Sequence, residues 1–139
     1  MSGVVFVDSN VLIYAHDRDA GPKRAIAREL TERLWNERTG CLSVQVLQEF
    51  FVTVTRKLRS PVARAQAREV VRAYSPWVLA PTTAETVLRA TEIGASAELD
   101  FWDALIIAAA EQSGAAVLYS EDLNHGQTVA GIRITNPFR

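Results

Sequence analysis

The chain has 139 residues, a length typical of one domain, and its formal net charge is −1. Apolar residues make up 48% of the sequence and charged residues 22%, a composition that excludes a disordered or fibrous protein. The near balance of charge also excludes a protein that binds nucleic acid mainly through its overall positive charge, so any such affinity must be local.

The first two predicted elements are a strand and a helix. Val4–Val7 is a short apolar run rich in β-branched residues, bounded by Gly3 before it and by polar residues 8–10 after it, which predicts a buried strand. Residues 22–38 predict an amphipathic helix because apolar side chains recur at every fourth position, at Ile26, Leu30 and Leu34. The candidates for a local contact with nucleic acid are its basic residues, Lys23, Arg24 and Arg28, and a second cluster at Arg56, Lys57 and Arg59, with solvated helix faces as the favoured alternative.

The middle of the chain predicts a short strand at residues 41–43 and two more helices. The first helix has one apolar stripe, and Glu49 lies off it; the stripe consists of Leu47, Phe51, Val54 and Leu58. The second helix is predicted to begin at Ser60 and Pro61, because serine caps exposed amides and proline suits the first helical position, and to reach Tyr74. Residues 77–80, between two prolines, are a strand or a buried connector.

The last part of the chain alternates helices with strands. A helix is predicted from Thr82 or Thr83 to about Ala95, and a largely buried helix covers residues 101–113 up to Gly114. Residues 117–119 and 132–134 predict two further strands. This alternation predicts a single domain over residues 1–139, with a three-layer α/β/α sandwich around a mostly parallel sheet.

The sequence predicts a cytoplasmic protein with no membrane segment. The longest strongly apolar stretch, residues 101–110, contains Asp103 and is too short to span a bilayer. The start of the chain lacks the basic and apolar regions of a signal peptide. Cys41 is the only cysteine, and this excludes an internal disulfide and fits a reducing compartment. We interpret Cys41 as a small buried apolar residue.

Acidic residues lie where sites collect in α/β sheets, beyond the carboxyl ends of strands and at helix starts. Asp8 follows the first strand, Asp122 follows the strand at residues 117–119, and Asp103 lies in the first turn of the buried helix. Together these carboxylates would repel each other without a cation, and hard oxygen ligands favour Mg²⁺ or Mn²⁺. Zinc is disfavoured because the chain has one cysteine and only two histidines, His16 and His125, without paired spacing.

Each acid taken alone has a simpler interpretation. Asp100 can cap the buried helix, with Asp103 accepting amide hydrogen bonds at the positive end of the helix dipole. Asp8 can form a turn with the polar residues that follow it, and Glu49 can be a solvated side chain.

Four segments of the chain resemble the motifs of PIN-domain nucleases. FVDSNVLIYA resembles the first motif, LSVQVLQEFF the second with its acid at Glu49, LDFWDALIIAAA the third with Asp103, and LYSEDLNHG the fourth with Asp122. They occur in the family's order and span nearly the whole chain. Among PIN proteins, the layout is most similar to the small VapC toxins of VapBC toxin–antitoxin pairs, including the terminal NPF.

The resemblance implies a metal-dependent endoribonuclease with an acidic pocket of catalytic and metal-binding residues, Asp8, Glu49, Asp103 and Asp122. Asp8 and Asp103 are the most direct ligands of one or two Mg²⁺ (or Mn²⁺) ions that activate water against an RNA phosphodiester. Nearby polar support comes from Ser9, Asn10 and Ser120. The resemblance also implies a cognate antitoxin that covers the pocket, and a homodimer.

Two residues near the predicted pocket have open roles. Asp100 is interpreted as a helix cap, with binding of a second ion or an arginine as the alternative. His125 is a possible phosphate contact or a loop residue with a structural hydrogen bond.

Two rival functions remain open at the level of sequence. One is a non-catalytic PIN-like module that binds RNA or protein, against which the presence of all four acids argues. The other is a Mg²⁺-dependent phosphatase with Asp8 as nucleophile, which usually needs an acid two residues later, where this chain has Asn10.

Overall fold

The computed structural model describes residues 3–139 and contains a central five-stranded sheet flanked by helices. The order across the sheet is β2-β1-β3-β5-β4, and every pair is parallel except β4 with β5. The strands are β1 (Val4–Val7), β2 (Gly40–Cys41), β3 (Ala115–Tyr119), β4 (Thr128–Val129) and β5 (Ile132–Thr135). The predicted mostly parallel α/β/α fold is therefore confirmed. Met1 and Ser2, which the predicted domain includes, lie outside the described residues.

Six α-helices connect or cover these strands within residues 3–139. They are α1 (Ser9–His16), α2 (Pro22–Glu37), α3 (Val44–Arg56), α4 (Arg64–Tyr74), α5 (Ala84–Ala97) and α6 (Phe101–Gln112). Helix α6 runs behind the sheet with seven consecutive buried residues, 104–110, as its continuous apolar sequence predicted. The cysteine at position 41 is buried as predicted, and burial raises the pKa of its thiol to about 12.

The simpler interpretation of Asp8, as a turn former with Ser9 and Asn10, is wrong, because α1 begins at Ser9. Asp8 is the N-cap of α1, and its side chain accepts a hydrogen bond from the backbone N–H of Ser9. The helix buries Ser9, Val11, Leu12 and Ala15, and none of its other residues is exposed, so it lacks the contrast between apolar and solvated positions from which a helix can be recognised. The strand β4 was also not predicted, since two residues are too short to produce a pattern.

The helix start predicted at Ser60 and Pro61 is also wrong, because α4 begins only at Arg64. The Ser60 hydroxyl donates instead to Asp19 Oδ2 at 2.8 Å. The backbone N–H of Val62 donates to the Val54 carbonyl, which holds this segment against the end of α3. These tertiary bonds replace the local capping that the sequence favoured.

The segment at residues 77–80, predicted as a strand or a buried connector, is a connector in which only Trp77 is buried, and Leu79 is 52% exposed. A 3₁₀ turn at Ser75–Trp77 precedes Val78, which forms a single parallel bridge with Leu42. The Trp77 side chain packs against the rings of Tyr74 and Trp35, with centroid distances of 4.9 and 5.7 Å.

Gly40 of β2 lies directly against this aromatic group. A Cβ atom at position 40 would meet three ring carbons of Trp77 at 2.4 to 2.8 Å, which is closer than carbon atoms can approach. We therefore expect Gly40→Ala to force Trp77 out of place and to lower the free energy of unfolding by about 1–3 kcal/mol. Urea unfolding checks this, with Gly3→Ala as control because its Cβ would have an ordinary 3.8 Å contact. Equal stability of the two variants would contradict this packing.

None of the helices within residues 3–139 combines the length and apolar character that a membrane crossing requires.

Candidate active site

Asp8 is anchored where β1 meets α1. Its side chain is only 6% exposed, and its backbone N–H donates to the Tyr119 carbonyl of β3 at 3.0 Å. Oδ1 accepts from the backbone N–H of Ser9 at 2.7 Å, and Oδ2 accepts from the Ser120 hydroxyl at 2.7 Å. The carboxylate is thus held by the first residue of α1 and by the residue that follows β3, at the carboxyl edge of the sheet.

Ser120 and Asn10 connect Asp8 to Asp122. The buried Ser120 hydroxyl donates to Asp8 and accepts from the backbone N–H of Asp122 at 3.2 Å. The Asn10 amide nitrogen is 3.1 Å from Asp122 Oδ2 and 3.5 Å from Asp8 Oδ2, and its oxygen accepts from the Glu121 N–H. The amide therefore lies between two carboxylates, where a third acid would add repulsion.

Glu49 reaches the same region from α3. Its Oε1 accepts from the Ser9 hydroxyl at 2.9 Å, and its Oε2 accepts from Gln45 Nε2 at 3.2 Å. Gln45 also donates to the Trp102 carbonyl at 3.3 Å, which connects α3 to the start of α6. The interpretation of Glu49 as a freely solvated side chain is therefore wrong: the carboxylate is partly buried and held between α1 and α3.

Asp103 lies in the first turn of α6, and Asp100 caps that helix. The backbone N–H of Asp103 donates to Asp100 Oδ1 at 2.9 Å, which confirms the capping geometry predicted for Asp100. Asp100 is exposed, whereas Asp103 is partly buried beside the other acids.

The acids influence each other's ionisation. The pKa of Asp8 is raised to about 6, mainly by burial and to a smaller extent by the carboxylates of Glu49 and Asp122, against the lowering effect of hydrogen bonds from Ser120 and Ser9. Burial also raises the pKa of Asp103 to about 6, followed in size by the effects of Asp100, Asp122 and Glu49. The structure therefore brings the four predicted acids into one region of mutual repulsion, which we call the acidic cluster.

The acidic cluster offers only oxygen donors, which suit Mg²⁺ or Mn²⁺ better than softer metals. Within residues 3–139, no three His, Cys, Asp or Glu side chains are arranged so as to hold a metal ion by themselves. Mg²⁺ commonly binds through one or two carboxylates and keeps several waters, so a complete protein cage is not required for it. The donor chemistry and the repulsion between the acids therefore fit a divalent cation.

The family model of the PIN domain matches residues 5–129, which is most of the chain. The chain belongs to the PIN domain family. Its structure is similar to the crystal structure of VapC20 from Mycobacterium tuberculosis, described as a Sarcin-Ricin loop cleaving toxin. The TM-score is 0.59 at 20% identity, over 85% of this chain and 89% of that chain. This likeness is one of fold. A comparison with curated proteins found no match.

His125 of this PIN domain has a structural hydrogen bond, as one of its two interpretations predicted. Its Nδ1 accepts from the backbone N–H of Asn136 at 2.9 Å, and Asn136 Oδ1 in turn accepts from the Phe138 N–H. The bond ties the loop after β3 to the end of the chain. A phosphate contact by the remaining ring nitrogen stays a prediction.

Sequence reasoning missed a group of residues that positions Asp122. Glu121 accepts from the Tyr14 hydroxyl and forms an ion pair with Lys23, whose ammonium lies 5.0 Å from the centre of the Tyr14 ring. Lys23 is therefore not simply part of a solvated face. Because Glu121 directly precedes Asp122, these contacts fix the loop that carries that carboxylate. The only signal in the sequence was the adjacent acid in SED, which does not identify its partners.

Proposed function

We propose that this PIN domain is a ribonuclease that requires Mg²⁺ or Mn²⁺ and acts as the toxin of a type II toxin–antitoxin pair. The observation that carries the proposal is the acidic cluster, in which burial and, after it, neighbouring carboxylates raise the pKa values of Asp8 and Asp103. A divalent cation bound there would relieve the repulsion between these carboxylates. The family and the similarity of fold to VapC20 support the choice of RNA as substrate.

Asp8 and Asp103 would hold the metal, with Glu49 and Asp122 completing the pocket or orienting water. A bound divalent ion lowers the pKa of water and neutralises the charge that grows on the phosphate. The contribution of the chain is positional: Ser120 and the Ser9 N–H hold the Asp8 carboxylate, and the Ser9 hydroxyl holds Glu49. Water would attack phosphorus in line with the bond to the 3′-oxygen. That bond breaks and the 3′-oxygen takes up a proton, so one product carries a 5′-phosphate and the other a 3′-hydroxyl.

Two arrangements shared by many VapC toxins belong to the same proposal. One is a homodimer, and the other is a cognate antitoxin that covers the acidic cluster. Exposed apolar side chains, among them Trp102 at 63% and Leu88 at 64%, are available for such contacts. A single domain and a cytoplasmic location also belong to the proposal, and the single domain is supported by one continuous core over the described residues.

Incubation of the purified protein with labelled RNA tests the proposed function. We expect cleavage with Mg²⁺ or Mn²⁺, loss of cleavage in EDTA, and its return when metal is added in excess. The cleavage products should carry a 5′-phosphate, which is detected by their ligation to an RNA with a 3′-hydroxyl. Cleavage that persists in EDTA would overturn the metal requirement. Metal-dependent RNA binding without cleavage would favour the non-catalytic module, and hydrolysis of small phosphate esters in place of RNA would favour the phosphatase.

A further inference from the structure

A cavity of about 360 Å³ lies at the end of α1 that is remote from Asp8, between α2 and the segment before α4. Three arginines and a histidine line it, and none of its ten lining residues is acidic. The polar lining consists of His16, Arg18, Arg24, Arg28, Ser60 and Gln66. We call this the arginine cavity. In a chain with a net charge of −1, it is a local concentration of positive charge.

The arginines of this cavity lack the partners that a structural role would give them. Arg24 Nε is buried and has no hydrogen-bond partner among the described residues. The ion pairs found within residues 3–139 include none formed by Arg18, Arg24 or Arg28. A buried donor without a partner is destabilising, and in native proteins it usually indicates an ion or water that binds there.

The positive charges that line the cavity lie close together, and this favours the binding of an anion. Arg24 and Arg28 are four residues apart on α2, so their side chains lie on one face and repel each other. The pKa of His16 is lowered by burial and, after that, by Arg28 and Arg24, which shows that the field in the cavity is positive. One carboxylate, Asp19, reaches the edge through its bond with Ser60 and offsets part of the charge.

We propose that the arginine cavity binds a phosphate group, with Arg24 and Arg28 as its main ligands. A guanidinium presents a planar pair of donors that matches the spacing of phosphate oxygens, which makes arginine suited to this anion. The arginine cavity is separate from the acidic cluster, and its binding of phosphate requires neither a metal nor cleavage.

The phosphate has two possible sources, the backbone of an RNA and a free phosphate or nucleotide. His16 lies seven positions after Ser9 on α1, which is a rise of about 10 Å along the helix axis.

Titration of the metal-free, ¹⁵N-labelled protein tests the site with two probes, inorganic phosphate and a short RNA, at constant ionic strength. We expect saturable shifts in the amides of residues 15–28 and 60–66, and binding about tenfold weaker in Arg24→Ala and Arg28→Ala. Arg33→Ala is the matched control, because Arg33 lies on α2 but does not line the arginine cavity. Arg28 is exposed, so we expect Arg28→Ala to fold. This variant decides the result if Arg24→Ala fails to fold.

The two probes distinguish the sources of phosphate. If the Arg24 and Arg28 variants weaken RNA binding, alone or together with phosphate binding, the cavity binds the RNA backbone. If they weaken only the binding of inorganic phosphate, the ligand is a free phosphate or nucleotide. If both probes bind these variants as well as they bind Arg33→Ala, the proposal is overturned. Because no cleavage is measured, failure here leaves the ribonuclease proposal intact, and the reverse also holds.

Discussion

Asp103→Asn and Asp8→Asn are each expected to lower the rate of RNA cleavage at saturating Mg²⁺ by about a thousandfold. Asparagine keeps the size of the side chain but removes the negative charge that would hold the metal. Loss of a group that stabilises developing charge in a water-excluded site commonly costs about this much. Single-turnover cleavage of labelled RNA measures the effect at the chemical step.

The matched control for these variants is Asp17→Asn. The Asp17 carboxylate lies at the far end of α1, where its Oδ1 accepts from the Asp19 N–H, and asparagine preserves that acceptor. We expect this variant to cleave at the wild-type rate. Thermal unfolding must show that all three variants are folded. Wild-type activity in a folded Asp103→Asn protein would refute the proposed role of the acidic cluster.

The stability of the metal-free protein is expected to fall as the pH rises from about 4 to above 6, because of Asp8 and Asp103. Their pKa values are about 6 in the folded chain and 3.8 when unperturbed. Between these values the folded state binds more protons than the unfolded state, so the free energy of unfolding decreases with increasing pH. This contribution is fully present below pH 3.8 and is lost as the pH rises through 6.

Urea unfolding in EDTA at pH 5 and pH 7.5 measures this effect. Asp8→Asn removes a carboxylate that is costly to ionise in the folded chain. The difference in free energy of unfolding between this variant and wild type should therefore be more favourable to the variant at pH 7.5 than at pH 5, by about 1–3 kcal/mol. The comparison with wild type is needed because other acids contribute with the opposite sign; Glu111, paired with Arg89, has a lowered pKa. An unchanged pH dependence in Asp8→Asn would contradict the raised pKa.

Adding Mg²⁺ at pH 7.5 should restore stability to the wild-type protein. A ligand that binds only the folded state stabilises it by an amount that grows with the logarithm of its concentration. Asp103→Asn should show little of this gain, which separates metal binding from a general effect of salt.

Local patterns were sufficient to predict most of the fold. Strands β1 and β5 are short runs rich in β-branched residues, β3 is a short apolar run, and apolar residues recur at every fourth position in α2, so each follows from its own sequence. Helix α1 was missed because none of its residues is exposed and it therefore has no charged, solvent-facing side. The start of α4 was misplaced because Ser60 finds a tertiary partner, Asp19, that lies 41 positions earlier.

In the candidate site, too, local patterns located some of the acids, whereas others are held by residues far away in the sequence. Asp8 and Asp122 could be located from the strands they follow, and Asp103 from the helix it begins. Glu49 could not, because the hydroxyl that holds it belongs to Ser9, 40 positions away. The contacts of Glu121 with Tyr14 and Lys23 connect residues about 100 positions apart, and no local pattern encodes such a pairing.

Because of the position of β1 in the sheet, the acidic cluster can form only late in the synthesis of the chain. Although β1 is the first strand of the chain, it lies between β2 and β3, and β3 begins only at Ala115. A ribosome-bound chain that has not yet exposed residues 115–122 lacks one of the two neighbours of β1, the Ser120 hydroxyl that holds Asp8, and Asp122 itself. The acidic cluster therefore cannot assemble during most of translation, so under the proposed function the nascent chain would be unable to cleave the RNA that surrounds it.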